Sequence, residues 1–116
     1  MIRLTALFAA AATALALAAT TAAAPVKLTG TVGPGFTITL KKGTTKVTKL
    51  KHGKYTFVIR DKSDEHNFHL KGPASKNFTS VDFVGTKTVT LTLKPGKYTY
   101  VCDPHASSMR GSFRVT

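Results

Sequence analysis

The sequence predicts an all-β domain of the sandwich or barrel type, and three observations favour this fold class. Short runs rich in Val, Thr, Phe, Tyr and Ile alternate between apolar and polar residues, as half-buried strands do. Gly and Pro interrupt these runs at intervals of about 8–12 residues, a spacing typical of sandwiches and barrels. After Pro25 the sequence has no convincing helical periodicity, no βαβ rhythm and no internal repeat.

The first half of the domain contains four segments with this pattern. They are 26–32, 35–41, 44–49 (a short strand or an extended link) and 54–60. Gly33-Pro34-Gly35 predicts a loop between the first two segments, and His52-Gly53 predicts a turn before the last. Residues 61–65 are polar and are predicted to form a loop. Tyr55, Phe57 and Ile59 are predicted to share one face of the last segment.

The second half contains four further alternating segments: 66–71, 86–93, 97–102 and 111–116. The Lys94-Pro95-Gly96-Lys97 sequence is a turn signal between two of them. Residues 72–85 are predicted to be irregular, with room for a short helical turn. The whole domain is therefore predicted to have seven or eight strands.

Residues 1–24 have the layout of a secretory signal peptide. Arg3 gives a positive start, residues 4–19 are almost entirely Ala, Leu, Phe and Thr, and small residues precede Pro25. The apolar run is short for a membrane span of about 20 residues, and an uncleaved anchor is the alternative. We therefore expect an exported protein (periplasmic, cell-envelope or secreted) whose domain of residues 25–116 has no stable membrane span after cleavage.

Cys102 is the single cysteine of the chain. An intramolecular disulfide, the usual support of a small exported domain, therefore cannot form. A lone thiol in an oxidising compartment is a liability, an intermolecular link or a group occupied by something else. A bound metal is one such occupant, and it would also stabilise the fold.

The chain is strongly basic, with 17 Lys and Arg residues, five Asp and Glu residues and a formal net charge of +12. Its lysines are spread through the domain, which is typical of a solubilising surface that also protects sheet edges. The alternative is attraction to an acidic redox partner or an anionic cell envelope. Export and the lack of a recognition motif argue against a nucleic-acid partner.

Strand alternation predicts which candidate donor side chains point inward. Cys102 ends its strand on the same face as two tyrosines, so it is predicted to point into the sandwich. In segment 66–71, His66 shares a face with Phe and Leu and is predicted to point inward. His69 and Asn67 lie on the opposite face and are predicted to point outward.

The residues Cys102, His105 and Met109 follow one another with a C-x2-H-x3-M spacing in one loop. With His66 they supply a thiolate, a thioether and two imidazoles, which suit copper and form the donor set of blue copper electron-transfer sites. The thiol must be deprotonated to bind, so copper would also occupy the reactive cysteine. A buried free cysteine with surface histidines is the alternative, but it leaves the clustering of these residues unexplained.

Two segments, EHNFHL (residues 65–70) and GKYTYVCDPHASSMRGSFRV (residues 96–115), resemble the copper-binding segments of the plastocyanin, pseudoazurin and amicyanin group of cupredoxins. The resemblance extends over about residues 25–116. It implies a cupredoxin-like Greek-key β-sandwich of seven to eight strands that binds one copper ion cycling between Cu(I) and Cu(II). The implied ligands are His66, Cys102, His105 and, in the axial position, Met109. Asn67 would connect the two ligand loops.

Two features depart from that group. The gap of three residues between His105 and Met109 is intermediate between the shorter loop of amicyanin and the longer loop of plastocyanin and pseudoazurin. Asp103 stands where Ser or Thr is common, and its carboxylate would either lower the reduction potential or simply face solvent. The second histidine of the His-Asn-x-His arrangement is not a ligand in amicyanin, which agrees with the outward orientation predicted for His69.

Two functions follow from these features. The first is transfer of single electrons between redox protein partners by a monomeric exported copper protein; the second is copper sequestration or delivery. We do not expect an enzyme, because an oxidase or nitrite reductase would need a second copper site and more histidines. A metal-free sandwich that dimerises through Cys102 is the remaining alternative. His52 and His69 are predicted as surface residues, and Asp61, Asp64 and Glu65 as a solvated loop.

Overall fold

The chain folds into a β-sandwich of two mixed five-stranded sheets in the computed structural model, which describes residues 9–14 and 23–116. The strands are β1 (Val26–Val32), β2 (Ile38–Lys42), β3 (Thr45–Lys46), β4 (Lys49–Leu50), β5 (Gly53–Asp61), β6 (Phe68–Lys71), β7 (Lys76–Thr79), β8 (Gly85–Leu93), β9 (Gly96–Val101) and β10 (Arg110–Val115). The first sheet has the order β3-β2-β1-β5-β8, and the second has the order β4-β10-β9-β6-β7. The predicted all-β sandwich is confirmed.

Alternation along the strands produces the core between the two sheets. In β5 the side chains of Tyr55, Phe57 and Ile59 share one face, as predicted, and this face is buried, while the side chains between them face the outside. Aromatic rings fill the second sheet's inner face. Phe68 stacks on Tyr100 with ring centroids 5.7 Å apart, and Tyr98 stacks on Phe113 at 5.2 Å.

The described residues contain ten strands, so the expected number of seven to eight is wrong. Segment 44–49 gives two very short strands, β3 and β4, which pair with different sheets. The strand β7 was missed inside the segment predicted to be irregular. It has only four residues, two of them buried, and it pairs with β6 at a sheet edge through an irregular register. Short edge strands have too few residues for alternation to appear.

The sandwich has two ends. We call the end where β1 and β5 finish, at Val32 and Asp61, the upper end, and the opposite end the lower end. β1 and β5 are parallel, from Val26 opposite Tyr55 to Val32 opposite Asp61, and both run from the lower to the upper end. β2 and β8 return to the lower end. In the second sheet β9 rises to the upper end and β10 returns. At the lower end β4, which directly precedes β5, pairs with the last residues of β10 and so joins the two sheets.

Most of the predicted signal peptide (residues 1–24) lies outside the described residues. Residues 9–14 and 23–25 are exposed and have no regular secondary structure. In the part of the chain that the structure describes, no helix is long and apolar enough to cross a membrane.

Candidate metal centre

Three side chains that could bind a metal meet at the upper end of the sandwich: His66, Cys102 and His105. The Sγ atom of Cys102 lies 3.6 Å from Nδ1 of each histidine, and the two Nδ1 atoms are 3.1 Å apart. The possible ligand atoms of the three residues all lie within 4.8 Å of one another. His66 and Cys102 are buried, whereas His105 is half-buried.

The inward orientations predicted for Cys102 and His66 are confirmed. Cys102 follows the last residue of β9 and has the same orientation as Tyr98 and Tyr100, and all three side chains are at most 1% exposed. His66 precedes β6 and is 2% exposed, on the side of the two inward residues of that strand. A thiol and an imidazole from distant parts of the sequence therefore meet at one point, each just beyond the end of a strand.

Backbone hydrogen bonds close the loop from Cys102 to Met109. The N–H of Cys102 donates to the carbonyl of Met109 at 3.0 Å, and the N–H of Met109 donates to the carbonyl of His105 at 2.8 Å. A 3-10 turn at Asp103–His105, with Pro104 in its first positions, carries His105 back towards Cys102. Met109 is 1% exposed and belongs to the core. The intermediate loop length thus still returns Met109 to the buried side of the site.

The ring of His66 is oriented by Gly35 in the loop between β1 and β2. Nε2 of His66 lies 2.8 Å from the carbonyl oxygen of Gly35. A carbonyl only accepts hydrogen bonds, so Nε2 carries the proton and Nδ1 presents its lone pair to Cys102. The loop can turn here because Gly33 has a φ of 67°, a conformation that favours glycine. This loop is therefore part of the site although it supplies none of the three clustered donor side chains.

The side chain of Asn67 joins the loop before β6 to the loop after β9. Its Oδ1 accepts a hydrogen bond from the N–H of Asp103 at 2.7 Å, and its Nδ2 donates to the Asp103 carboxylate at 2.8 Å and to Asn77 at 3.0 Å. Asn67 is 2% exposed, yet its Nδ2 donates to the same Asp103 oxygen that contacts Nδ1 of His69. It therefore lies on the side of His69, as alternation predicts, and is buried there because the loop that contains Asp103 covers it.

Asp103 lies at the rim of the site in a cluster of polar side chains. Its carboxylate accepts a hydrogen bond from Nδ1 of His69 at 2.8 Å and lies 3.4 Å from Nζ of Lys71. Burial acts to raise the pKa of Asp103, but hydrogen bonds from Asn67 and His69 outweigh it and lower the pKa below the ordinary value. The carboxylate is thus partly exposed and, at the same time, hydrogen-bonded to Asn67 and His69. His69, predicted as a surface residue, has a side chain that is 27% exposed and lies outside the three-residue donor group.

The match to a protein-family model decides the family of this protein. The model described as copper binding proteins, plastocyanin/azurin family, matches residues 31–116. The chain belongs to this family. The resemblance to cupredoxins is thereby confirmed. The cluster of His66, Cys102 and His105, with Met109 nearby, fits a single type 1 copper site because it combines a thiolate with two imidazoles. A search of curated proteins finds no match.

Solved structures with the same fold include other cupredoxins. Auracyanin A, a blue copper protein from the green thermophilic photosynthetic bacterium Chloroflexus aurantiacus, is 19% identical, with a TM-score of 0.54 over 80% of this chain and 100% of its own. Reduced rusticyanin is 23% identical, with a TM-score of 0.54 over 79% of this chain and 77% of its own. A copper-containing nitrite reductase from Thermus scotoductus is 21% identical, with a TM-score of 0.55 over 82% of this chain but only 23% of its own.

Phe36 is the residue at the cupredoxin site that the sequence reasoning missed. Its ring is 66% exposed and contacts the rings of His66 and His105 edge to face, with centroid distances of 5.6 and 5.0 Å. It follows the loop glycine Gly35, whose carbonyl accepts from His66. A large exposed aromatic residue directly after a Gly-Pro-Gly turn is the signal that could have indicated it.

Asp61 is a buried acidic residue close to the site. The sequence predicts a solvated loop that contains Asp61, Asp64 and Glu65. This prediction is correct for Asp64 and Glu65, which are exposed. It is wrong for Asp61, because β5 continues to this residue and directs its side chain inward. Its Oδ1 accepts from the N–H of Ser63 at 3.2 Å, and its Oδ2 is buried without a hydrogen-bond partner among the described residues. Burial raises the pKa of Asp61 above 3.8, and the nearby polar groups of Thr79 and Ser63 offset only part of this effect.

We expect the Asp61→Asn variant to reveal this raised pKa in the metal-free protein. The folded state binds the Asp61 proton more tightly than the unfolded chain does, so the ionised carboxylate lowers stability at neutral pH. This loss of stability diminishes as pH falls through the raised pKa and is absent below 3.8. The free energy of unfolding of the wild type should therefore rise relative to Asp61→Asn as pH is lowered in urea titrations. The exposed control Asp64→Asn should show no such trend, and a pH-independent difference for Asp61→Asn would contradict the assignment.

Proposed function

We propose that this cupredoxin is an exported mononuclear type 1 copper protein that carries single electrons between redox protein partners. Residues 1–24 would be removed as a signal peptide, and residues 25–116 would form a monomeric domain in the periplasm, the cell envelope or the extracellular space. His66, Cys102 and His105 would bind the metal, with Met109 as the axial ligand. Asn67 would keep the two ligand loops together through its hydrogen bonds to Asp103.

The observation that carries the proposal is that the three donor atoms are already assembled by the protein. Sγ of Cys102 and the two Nδ1 atoms are within 3.6 Å of one another, in a setting of backbone hydrogen bonds and a closed core. Copper supplies a one-electron oxidation and reduction when bound to such a donor set. Because strand ends and hydrogen-bonded loops fix the side chains, they would rearrange little between the two oxidation states, which favours rapid transfer.

The exposed surface near the site supports transient docking. His105 is the one residue of the donor group that is not buried, and Phe36, Pro34 and Ala106 are exposed close to it in sequence or space. A small apolar surface of this kind suits a weak interface with fast exchange of partners. The net charge of +12 would attract acidic redox partners to the molecule over a long range. We assign no enzymatic activity, because an oxidase or nitrite reductase would need a second copper site, and the described residues bring together a single group of three metal donors.

Redox cycling of the copper-loaded protein tests the proposal against copper delivery. We expect repeated oxidation and reduction with unchanged copper content, and slow loss of Cu(I) to a competing chelator, because His66, Cys102 and Met109 are each at most 2% exposed. Rapid transfer of copper to the chelator combined with slow electron exchange would instead identify a copper-delivery protein. Mass spectrometry of the exported protein tests the removal of residues 1–24.

A further inference from the structure

The acidic residues of this protein lie towards the upper end of the sandwich, whereas the charged side chains of the lower end are all cationic. Four of the five acidic residues, Asp61, Asp64, Glu65 and Asp103, lie in or next to the loops of the upper end, where the metal centre is. Besides Lys27 at the start of β1, nine exposed cationic residues lie on the strand ends and turns of the lower end, which has no acidic residue. We call this set the basic pole: Lys41, Lys42, Lys46, Lys49, Lys51, Lys54, Lys94, Lys97 and Arg114.

Several of these cations are placed directly opposite one another on neighbouring strands. Lys41 of β2 is opposite Lys46 of β3. Arg114 of β10 is opposite Lys49 of β4 on one side and Lys97 of β9 on the other. Like charges in such positions repel and lower stability. Within the described part of the chain, none of the nine forms an ion pair. An external anion would relieve this repulsion.

Two open cavities lie within the basic pole and share Thr48. One, of about 350 Å³, is lined by residues 42 and 45–50, among which Lys42, Lys46 and Lys49 carry charge. The other, of about 190 Å³, is lined by Thr48, Ser112 and Phe113 together with the cations Lys97 and Arg114. Cations and hydroxyl groups around an open cavity are suited to phosphate oxygens. Both cavities lie at the opposite end from the metal centre.

The chain also enters the domain at this pole. β1 begins at Val26, opposite Tyr55 near the lower end of β5, so the segment that precedes it joins the domain beside these lysines. That segment includes the apolar residues 4–19, which we propose act as a signal peptide. For as long as this segment stayed in the membrane and attached to the folded domain, it would hold the basic pole close to the lipid.

We propose that the basic pole binds the surface of an anionic phospholipid membrane, with lipid phosphate groups seated against its two cavities. The net charge of +12 and the absence of acidic residues from this end provide the attraction. Binding in this orientation directs the upper end, with His105 and Phe36, away from the lipid and leaves it free for protein partners. The proposal does not depend on electron transfer, because the metal-free protein presents the same pole.

Sedimentation with lipid vesicles tests the proposal. The protein used is the form that cells produce after any removal of the proposed signal peptide. The wild type should bind phosphatidylcholine vesicles that contain phosphatidylglycerol more tightly than vesicles of phosphatidylcholine alone, and this preference should weaken as salt concentration rises. The triple variant Lys46→Gln, Lys49→Gln and Lys97→Gln should lose roughly 100-fold in affinity for the anionic vesicles. Its copper absorption should equal that of the wild type, which would show that the fold and the site are intact.

The matched control removes three exposed cations outside the basic pole, as Arg60→Gln, Lys62→Gln and Lys87→Gln. It has the same net charge as the pole variant and should keep most of the affinity for anionic vesicles. Equal losses in both triple variants would show a general charge effect and overturn the proposal. The proposal would also be overturned if the protein showed no preference for anionic vesicles. Binding of inorganic phosphate would then indicate a soluble anion as the ligand, and binding of an acidic protein would indicate a protein partner.

Discussion

Replacing Cys102 by serine is expected to abolish the intense visible absorption of the copper-loaded protein. That absorption requires a thiolate bound to copper, and Cys102 is the single cysteine of the chain. The hydroxyl of serine is a harder and much weaker donor, so the two imidazoles of His66 and His105 alone would leave copper weakly bound. We expect the loss of the blue band and the EPR signature of a type 1 site, together with a large loss of copper affinity.

The two histidines of the His-Asn-Phe-His segment provide a matched comparison for this result. Nδ1 of His66 lies 3.6 Å from the Cys102 sulfur, whereas Nδ1 of His69 is bound to the carboxylate of Asp103. His66→Gln should therefore remove the blue spectrum, and His69→Gln should keep it. A blue spectrum in the Cys102→Ser protein, or its loss in His69→Gln but not in His66→Gln, would contradict the proposed ligands.

The largest expected effect on stability comes from Phe68→Ala. Phe68 is fully buried, stacks on Tyr100 with an interplanar angle of 8° and meets Phe78 edge to face at 5.9 Å. Removing a buried aromatic ring costs its transfer free energy and leaves a cavity, about 3–5 kcal/mol in total. Urea unfolding of the metal-free protein measures this loss without the contribution of metal binding.

Phe36→Ala is the matched control, because it makes the same chemical change at a side chain that is 66% exposed. We expect it to change the free energy of unfolding by at most about 0.5 kcal/mol.

A substitution at Gly30 gives a further check of the packing around Phe68. A Cβ on Gly30 would lie 2.9 Å from Phe68, and also 2.5 Å from Cδ1 of Ile59, so Gly30→Ala should be less costly in the Phe68→Ala background. Equal losses for Phe68→Ala and Phe36→Ala would contradict the assigned core.

For many side chains, the inward or outward orientation could be predicted from the sequence, because alternation is a local property of a strand. It correctly identified the buried faces that contain Phe57, Tyr100 and Cys102, and it selected His66 over His69. The same rule did not show where a strand ends or what covers its outer face. Asp61 was expected in a loop, but β5 continues to it and places it inward, two residues after Ile59; Asn67 lies on the side of His69 and is covered by the loop of Asp103. Both outcomes depend on neighbouring segments of the fold, about which a period of two contains no information.

Residue types and short-range order were enough to predict the sandwich class, the soft sulfur and imidazole donor set and the spacing that groups Cys102, His105 and Met109. Contacts between segments that are distant in the sequence became visible only in the folded structure. The Gly35 carbonyl that orients His66 and the Phe36 ring over the site lie 31 and 69 residues away in sequence from the histidines they contact. The same holds for the basic pole, whose cations come from separate strands and become one surface only when the two sheets close.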